Sequence, residues 1–265
     1  MGYETYTGVV AREVDTGEAD RYLTILTVER GKLECYARGI RRQKSKLSSQ
    51  AGLMAYGEYQ LFKRGDRHIL TSAKAIETFY DIRMDVVKCA YAAHFLEIAR
   101  DVIVEAQAFP EALQTLLNSM HVLCYRDLAP DFVSRVYEIR ILALAGFAPL
   151  LDNCSICGEP IQNDGNGGAL FDIYGDGLVC GGLNCRALAG YVSPVSRGAV
   201  RAIKYVLECG AGDIFQFSIS SAVSAELAYL IPAYLRRQFG RDYDKPGEAE
   251  RYRAFEREIN GMAHG

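Results

Sequence analysis

Residues 3–40 read YETYTGVVAREVDTGEADRYLTILTVERGKLECYARGI, three runs dense in Thr, Val, Ile, Leu and Tyr with polar breaks between them. This is strand sequence rather than helix. Tyr3–Glu13 and Arg21–Arg30 flank the polar turn Asp15-Thr16-Gly17-Glu18. From Leu33 to Ile40 the side chains alternate, with Leu33, Cys35 and Ala37 on one face and Glu34, Tyr36 and Arg38 on the other, the period of a half-buried strand. Two further runs, Leu53–Lys63 and His68–Phe79, meet at Arg64-Gly65-Asp66, a hairpin turn in which glycine supplies the positive φ. Five short strands within residues 1–80, without a helical period, predict a small closed barrel. An OB-fold is the commonest five-stranded form, and an SH3-like barrel carries much the same pattern.

Outward from the barrel the period changes. Val86, Val87, Ala90, Ala93, His94 and Ile98 recur at helical spacing, in a pattern that runs to about Ala108. Pro110–Tyr125 reads as a second helix with proline in its first turn, and Pro130–Ala145 as a third, ended by Gly146 and Pro149. Residues 150–190 turn rich in Gly, Asn, Asp and Cys. Helical pattern returns at Pro194–Cys209 and about Ser220–Gly240, where Pro232 predicts a kink or break near Ile231. The organisation expected is a barrel at 1–80, a helical domain at 81–149 and 191–242, a cysteine module inserted at 150–190, and a charged tail at 243–265. The class is α+β and multidomain.

The inserted segment carries the clearest chemical signal. Cys154 and Cys157 form a Cys-x2-Cys pair, and Cys180 and Cys185 a Cys-x4-Cys pair. Two close pairs across a Gly-rich stretch are how four thiolates are brought around one tetrahedral structural zinc per chain. Zinc would supply free energy that so short a segment lacks in core. Two other readings stay open: a redox Cys-x2-Cys, which would need a helix-opening context not visible here, and four unrelated free thiols. Four thiolates leave no open coordination position, which argues against a catalytic metal. Cys35, Cys89, Cys124 and Cys209 sit on apolar patterns and are expected in the core.

Charge separates the two ends. The chain has 265 residues and a net charge of −3, yet residues 1–80 hold 13 Lys+Arg against 10 Asp+Glu. Within residues 30–46 lie Arg30, Lys32, Arg38, Arg41, Arg42, Lys44 and Lys46 against the single acid Glu34. Lys32, Tyr36 and Arg38 are expected on one strand face, with Arg41 to Lys46 in the following loop. Cations beside a ring on a barrel strand suit an unpaired nucleic-acid strand, the cations tracking phosphates while the ring stacks on bases. A merely solvated loop is the alternative. Asp15, Glu18 and Asp20 could hold a hard cation, or simply form a solvated turn.

Catalytic patterns are missing. There is no Gly-x4-Gly-Lys-Ser/Thr, no His-Glu-x2-His and no Gly-x-Ser-x-Gly. Gly165-Asn166-Gly167-Gly168 is not placed to open a dinucleotide-binding helix. His94 falls on an apolar helical face, and His68, His121 and His264 lack an evident partner in sequence. These observations predict a binding protein and not an enzyme. The start, MGYETYTGVV, has no leader pattern, and no apolar run reaches 18 residues. A cytoplasmic protein without membrane contact, its cysteines reduced, is therefore expected.

In order along the chain, several pieces together resemble the RecO family of recombination mediators. They are GYETYTGVVAREVDTGEADRYLTILTVERGKLECYARGIRRQKSK at 2–46, the helical Tyr137–Leu144 segment, RILALAGFAPLLDNCSICGEP at 140–160, and AYLRRQFGR at 233–241. The resemblance implies an N-terminal OB domain and a helical domain holding a four-cysteine zinc module. It implies binding of single- and double-stranded DNA, annealing of complementary strands, and DNA repair and recombination in the RecF pathway. It further implies a bacterial, nucleoid-associated protein that with RecR helps RecA onto DNA coated by single-strand-binding protein. The expected partners are RecR and the C-terminal tail of the single-strand-binding protein. Carried over residue by residue, the basic positions are Lys32, Arg38, Arg41, Arg42, Lys44 and Lys46, and the zinc ligands are Cys154, Cys157, Cys180 and Cys185. The family often spaces its second pair Cys-x2-Cys, so the Cys-x4-Cys here puts the geometry at Cys185 in question. The rival readings are a zinc-containing interaction scaffold that does not touch DNA and, less favoured by four thiolates, a zinc-dependent nucleic-acid enzyme.

Overall fold

The structure, a computed structural model, describes residues 2–161, 169–243 and 246–247. The Gly165–Gly168 loop, His264 and most of the charged tail lie outside them. The chain forms two compact units, one within residues 1–127 and one within residues 128–244.

In the first unit five strands close into a barrel: β1 (Gly2–Thr16), β2 (Asp20–Thr27), β3 (Gly31–Ala37), β4 (Tyr56–Arg64) and β5 (Arg67–Glu77). The order around the barrel is β1-β2-β3-β5-β4, the Greek-key arrangement of an OB-fold. Closure depends on the 15-residue β1. Its first half pairs with β4 from Gly2↔Lys63 to Val9↔Tyr56, and its second half with β2 as far as Thr16↔Asp20. A register shift between Val10 and Arg12 lets it turn from one neighbour to the other. Gly8 sits at this crossing, where a Cβ would run into the Leu26 carbonyl. Tyr6, Val10, Leu23, Ile25, Leu33, Cys35, Tyr59, Leu61 and Leu70 fill the interior, the alternation read from the sequence. β3 ends at Ala37, so Arg38 belongs to the following turn and does not share the strand face with Lys32 and Tyr36. A one-turn helix, α1 (Lys46–Gln50), follows that turn.

The same unit continues through α2 (Tyr80–Arg83), α3 (Val86–Val102) and α4 (Pro110–Tyr125). Asp85 caps α3, accepting from the backbone N–H groups of Val87 and Lys88 at 2.8 and 3.2 Å. His94 is buried on α3. Of the four cysteines expected in cores, Cys35 and Cys124 are buried, whereas Cys89 and Cys209 are half-buried.

The second unit holds α5 (Pro130–Leu144), β6 (Ala169–Asp172), β7 (Gly177–Val179), α6 (Leu183–Leu188), β8 (Val192–Val195), α7 (Arg197–Glu208) and α8 (Ser221–Phe239). Past α5, Gly146 adopts φ 87° and the Phe147 N–H returns to the Leu142 carbonyl at 2.8 Å. The small sheet has the order β7-β6-β8. Ser196 and Ser220 cap α7 and α8. Of the kink or break expected near Ile231, the break does not occur: α8 runs through Pro232. Proline removes one intrahelical bond, and the burial of Leu227, Leu230, Ile231, Tyr234 and Leu235 around it holds the helix together. Among the described residues no helix is long and apolar enough to cross a membrane.

Candidate nucleic-acid surface and metal centre

The outer face of β2 and β3 and the loop after them carry the cations singled out from the sequence. Tyr36 is directly opposite Tyr22 in the antiparallel pair, and the two rings lie 5.3 Å apart, tilted by 57°. Tyr22 is 47% exposed, so the pair offers an aromatic surface next to the basic loop. Tyr22 was not identified from sequence; counting register back from the turn between β2 and β3 would have found it. The Tyr36 hydroxyl donates to Asp20, and Asp20 also accepts the Gly39 N–H at 2.6 Å. These two bonds, Tyr36 first, hold the Asp20 carboxyl below its usual range. Asp20 thus ties the β3 ring to the base of the loop.

The loop is braced by successive turns: Arg41 N–H to the Ala19 carbonyl, Arg42 N–H to Gly39, and Ser45 N–H to Arg42. Ile40 plugs into the barrel core, 1% exposed. Arg38, Arg41, Arg42, Lys44 and Lys46 all point to solvent. They are not equivalent. Arg41 lies 3.4 Å from Asp15, which Arg21 holds at 2.6 Å. The Arg21 bond keeps the Asp15 carboxyl low despite the opposing effect of desolvation. Lys32 departs furthest from expectation: half-buried, it donates its Nζ to the Arg100 carbonyl of α3 at 3.0 Å. With Asp15 and Asp20 turned to the protein's own donors, the acidic turn is a brace for the loop.

β3 and β5 pair at only Cys35↔His68 and Tyr36↔Ile69, which leaves a cleft of about 320 Å³ beside them. Arg30, Lys32, Lys63 and His68 line it together with Glu34, Asp66 and Glu105. Burial, then the nearby Arg30, push His68 down from its usual range.

In the second unit the four cysteines converge: the ligand sulfurs of Cys154, Cys157, Cys180 and Cys185 all lie within 4.8 Å of one another. The Cys157 and Cys180 sulfurs are 3.8 Å apart. A tetrahedron with metal–sulfur bonds of about 2.3 Å has an edge of about 3.8 Å. The first knuckle closes with the Gly158 N–H on the Cys154 carbonyl at 2.9 Å, and Gly158 takes φ 79°. The second knuckle explains the wide spacing. Cys180 follows β7, and Cys185 sits on α6, whose turn swings it back to the other three. Burial alone would raise the Cys154 thiol. The backbone N–H groups of Cys157, Cys180 and Ile156 outweigh it and hold the thiol at about 6. Cys185 is instead pushed up to about 12, chiefly by Cys180 and then Cys157. Four sulfurs this close repel one another as thiolates unless a cation sits between them, and the donor set fits a metal ion. Among the described residues no other group of His, Cys, Asp or Glu is placed to hold one.

Comparison with known proteins covers both units. The family model for the recombination protein O N-terminal domain matches residues 1–79, and that for its C-terminal domain matches residues 83–246. The DNA repair protein RecO of Acetivibrio thermocellus is 37% identical over 247 residues, spanning 92% of this chain and 95% of that one. The RecO proteins of Symbiobacterium thermophilum and Moorella thermoacetica are each 29% identical, over 89% and 96% of this chain and 92% and 90% of their own lengths.

Proposed function

This chain belongs to the recombination protein O family of DNA repair proteins, and from that premise we propose that it is a non-catalytic mediator of recombination. It holds single- and double-stranded DNA on its N-terminal barrel and anneals complementary strands. The observation that carries this reading is the rim of the closed barrel. There the Tyr22–Tyr36 pair adjoins exposed Arg38, Arg41, Arg42, Lys44 and Lys46. Cations of this kind hold a strand through its phosphates, which carry no sequence information. Rings beside them stack on bases of any identity. A strand held this way keeps its base edges free for a complement, which is what annealing requires.

The division proposed is a DNA-binding barrel at 1–80, a helical domain at 81–149 and 191–242, a zinc module at 150–190 and a charged tail at 243–265. In the module Cys154, Cys157, Cys180 and Cys185 hold one structural zinc; four soft thiolates favour that borderline-soft ion over hard cations. Within the bacterial cytoplasm, and with RecR, the protein loads RecA onto DNA coated by single-strand-binding protein, whose C-terminal tail it engages. These partners rest on family membership. The decisive experiment is annealing of complementary oligonucleotides, with and without single-strand-binding protein. Faster annealing is expected, lost with Arg42→Ala/Lys44→Ala. A protein that ignores oligonucleotides even in dilute buffer, while retaining its metal and its fold, would instead be a zinc-containing interaction scaffold.

A further inference from the structure

The second unit carries an aromatic groove beside the end of α8, apart from its four cysteines. It holds about 540 Å³, and Tyr174, Tyr191, Tyr229, Arg236 and Arg237 are among the residues that line it. Tyr174, Tyr191 and Tyr229 are 59%, 49% and 52% exposed, unusual for three rings gathered at one place. Their arrangement is built rather than accidental. The Tyr174 and Tyr191 rings lie 5.8 Å apart, and the Tyr191 and Tyr229 hydroxyls share a hydrogen bond of 2.8 Å. Behind them the buried carboxylate of Asp172, 3% exposed, accepts the backbone N–H groups of Tyr174, Gly190 and Tyr191 at 3.0, 2.8 and 3.1 Å. One buried acid therefore fixes the backbone that presents two of the three rings.

Cations complete the groove. The Arg237 guanidinium lies over the Tyr174 ring at 5.8 Å, and Arg236 lines the same opening. No acid is among the lining residues; the Asp172 carboxylate behind the rings is taken up by backbone N–H groups, and Asp242, 3.6 Å from Arg236, forms an ion pair whose partners are both more than half exposed. An ion pair so solvated is readily exchanged for a phosphate. A guanidinium over a ring face, with a second arginine beside it, forms a surface on which nucleobases stack while phosphates are neutralised. The groove is open to solvent and carries the paired hydroxyls of Tyr191 and Tyr229, without the closed apolar slot that would seize a single peptide side chain.

We propose that this groove is a second seat for an unpaired nucleic-acid strand: one or two bases stack on Tyr174 and Tyr229, and Arg236 and Arg237 hold the adjoining phosphates. The inference deepens the DNA-binding reading above and rests on it only in the choice of ligand, because no barrel residue takes part.

The test uses the full-length, metal-loaded protein and an oligothymidylate carrying photoreactive 4-thiothymidine. Irradiation should attach the oligonucleotide to peptides containing Tyr174 or Tyr229, and this requires no variant. Attachment confined to residues 1–80 would overturn the proposal. In parallel, Tyr174→Leu/Tyr229→Leu, with metal content and melting temperature checked, should weaken oligothymidylate binding by roughly tenfold or more. Arg237→Lys, which keeps the charge and loses the planar stack, should fall in between. The barrel variant Arg42→Ala/Lys44→Ala separates the two readings. If only it weakens binding, the groove proposal fails; if only the tyrosine variant does, the barrel assignment fails. A fluorescent peptide rich in Asp and ending in an aromatic residue provides the competing arm. Peptide binding lost in the tyrosine variant while oligothymidylate affinity stays within twofold would make the groove a peptide site and refute the proposal.

Discussion

The salt dependence of DNA binding can be apportioned residue by residue, because the basic loop's cations differ in what already engages them. Arg38, Arg42, Lys44 and Lys46 are exposed and make no direct ion pair among the described residues, Arg38 and Arg42 acting on the Asp20 carboxylate only at longer range. Arg41 is 3.4 Å from Asp15, and Lys32 is held on the Arg100 carbonyl at 3.0 Å. Each phosphate contact to a single strand contributes about −0.7 to the slope of log affinity against log salt. Four cations without a direct ion pair then supply a slope of up to about −2.8, a loss of roughly fiftyfold between about 50 and 200 mM salt. Replacing two of them, Arg42→Ala/Lys44→Ala, should flatten the slope by about 1.4 and shrink that loss to roughly sevenfold. Arg41→Ala should flatten it by clearly less than about 0.7, since Asp15 already offsets part of its charge. Lys32→Ala should leave the slope almost unchanged and lower the melting temperature instead, because a half-buried hydrogen bond to α3 is lost. Fluorescence anisotropy of a labelled oligothymidylate across that salt range reads all four slopes. A flattening by Lys32→Ala of about 0.7, half that of Arg42→Ala/Lys44→Ala, would mean that the contacts within the protein do not decide which cations reach the phosphate chain, and the apportioning would fall.

Other perturbations follow from the same geometry. Metal analysis should find about one zinc per chain. A strong chelator, or Cys185→Ser, should lower the melting temperature of the second unit, and an unchanged melt would remove Cys185 from the ligand set. Asp172→Ala leaves three N–H groups without their acceptor and should cost on the order of 3 kcal/mol in urea unfolding; a loss below about 1 kcal/mol would deny it the supporting role. Asp20 has a depressed carboxyl in the folded state, so its stabilisation is complete above the unfolded value of about 3.9 and fades as pH falls through the lower, folded one. The melting-temperature gap between the protein and Asp20→Asn should therefore be constant above about pH 5 and close on acidification. A gap that persists in acid would contradict the role given to the Tyr36 and Gly39 bonds. Gly31 takes φ 73°, and a Cβ there would meet the Val104 and Gln107 carbonyls. Gly31→Ala should consequently destabilise by several kcal/mol, about 3 or more, in the same urea assay.

The linear sequence determined what depends on local pattern. The two-residue alternation through Leu33, Cys35 and Ala37 marks a strand with one buried face, and these residues do line the barrel. The two cysteine pairs pointed to a four-sulfur cluster by ligand type and spacing, with redox and unrelated thiols left as alternatives, and the fold brings all four sulfurs together. Family-level order of the pieces carried the DNA repair identity. Features that depend on which distant segments meet were decided by the tertiary structure. Strand order separates an OB barrel from other small barrels, and it rests on β1 serving two neighbours and on the short parallel contact of β3 with β5. Pro232 reads as a helix breaker by itself, yet burial around it outweighs one missing hydrogen bond. Lys32 and Arg42 look alike in a charge run, but α3 occupies one and solvent the other. The tyrosine groove joins residues 173 to 240, from β8's neighbours to the end of α8, at no sequence spacing that a motif could express. Period and spacing record what a residue is and which way it faces; only the fold records what stands opposite, and that is what decides whether a charge or a ring is free to bind.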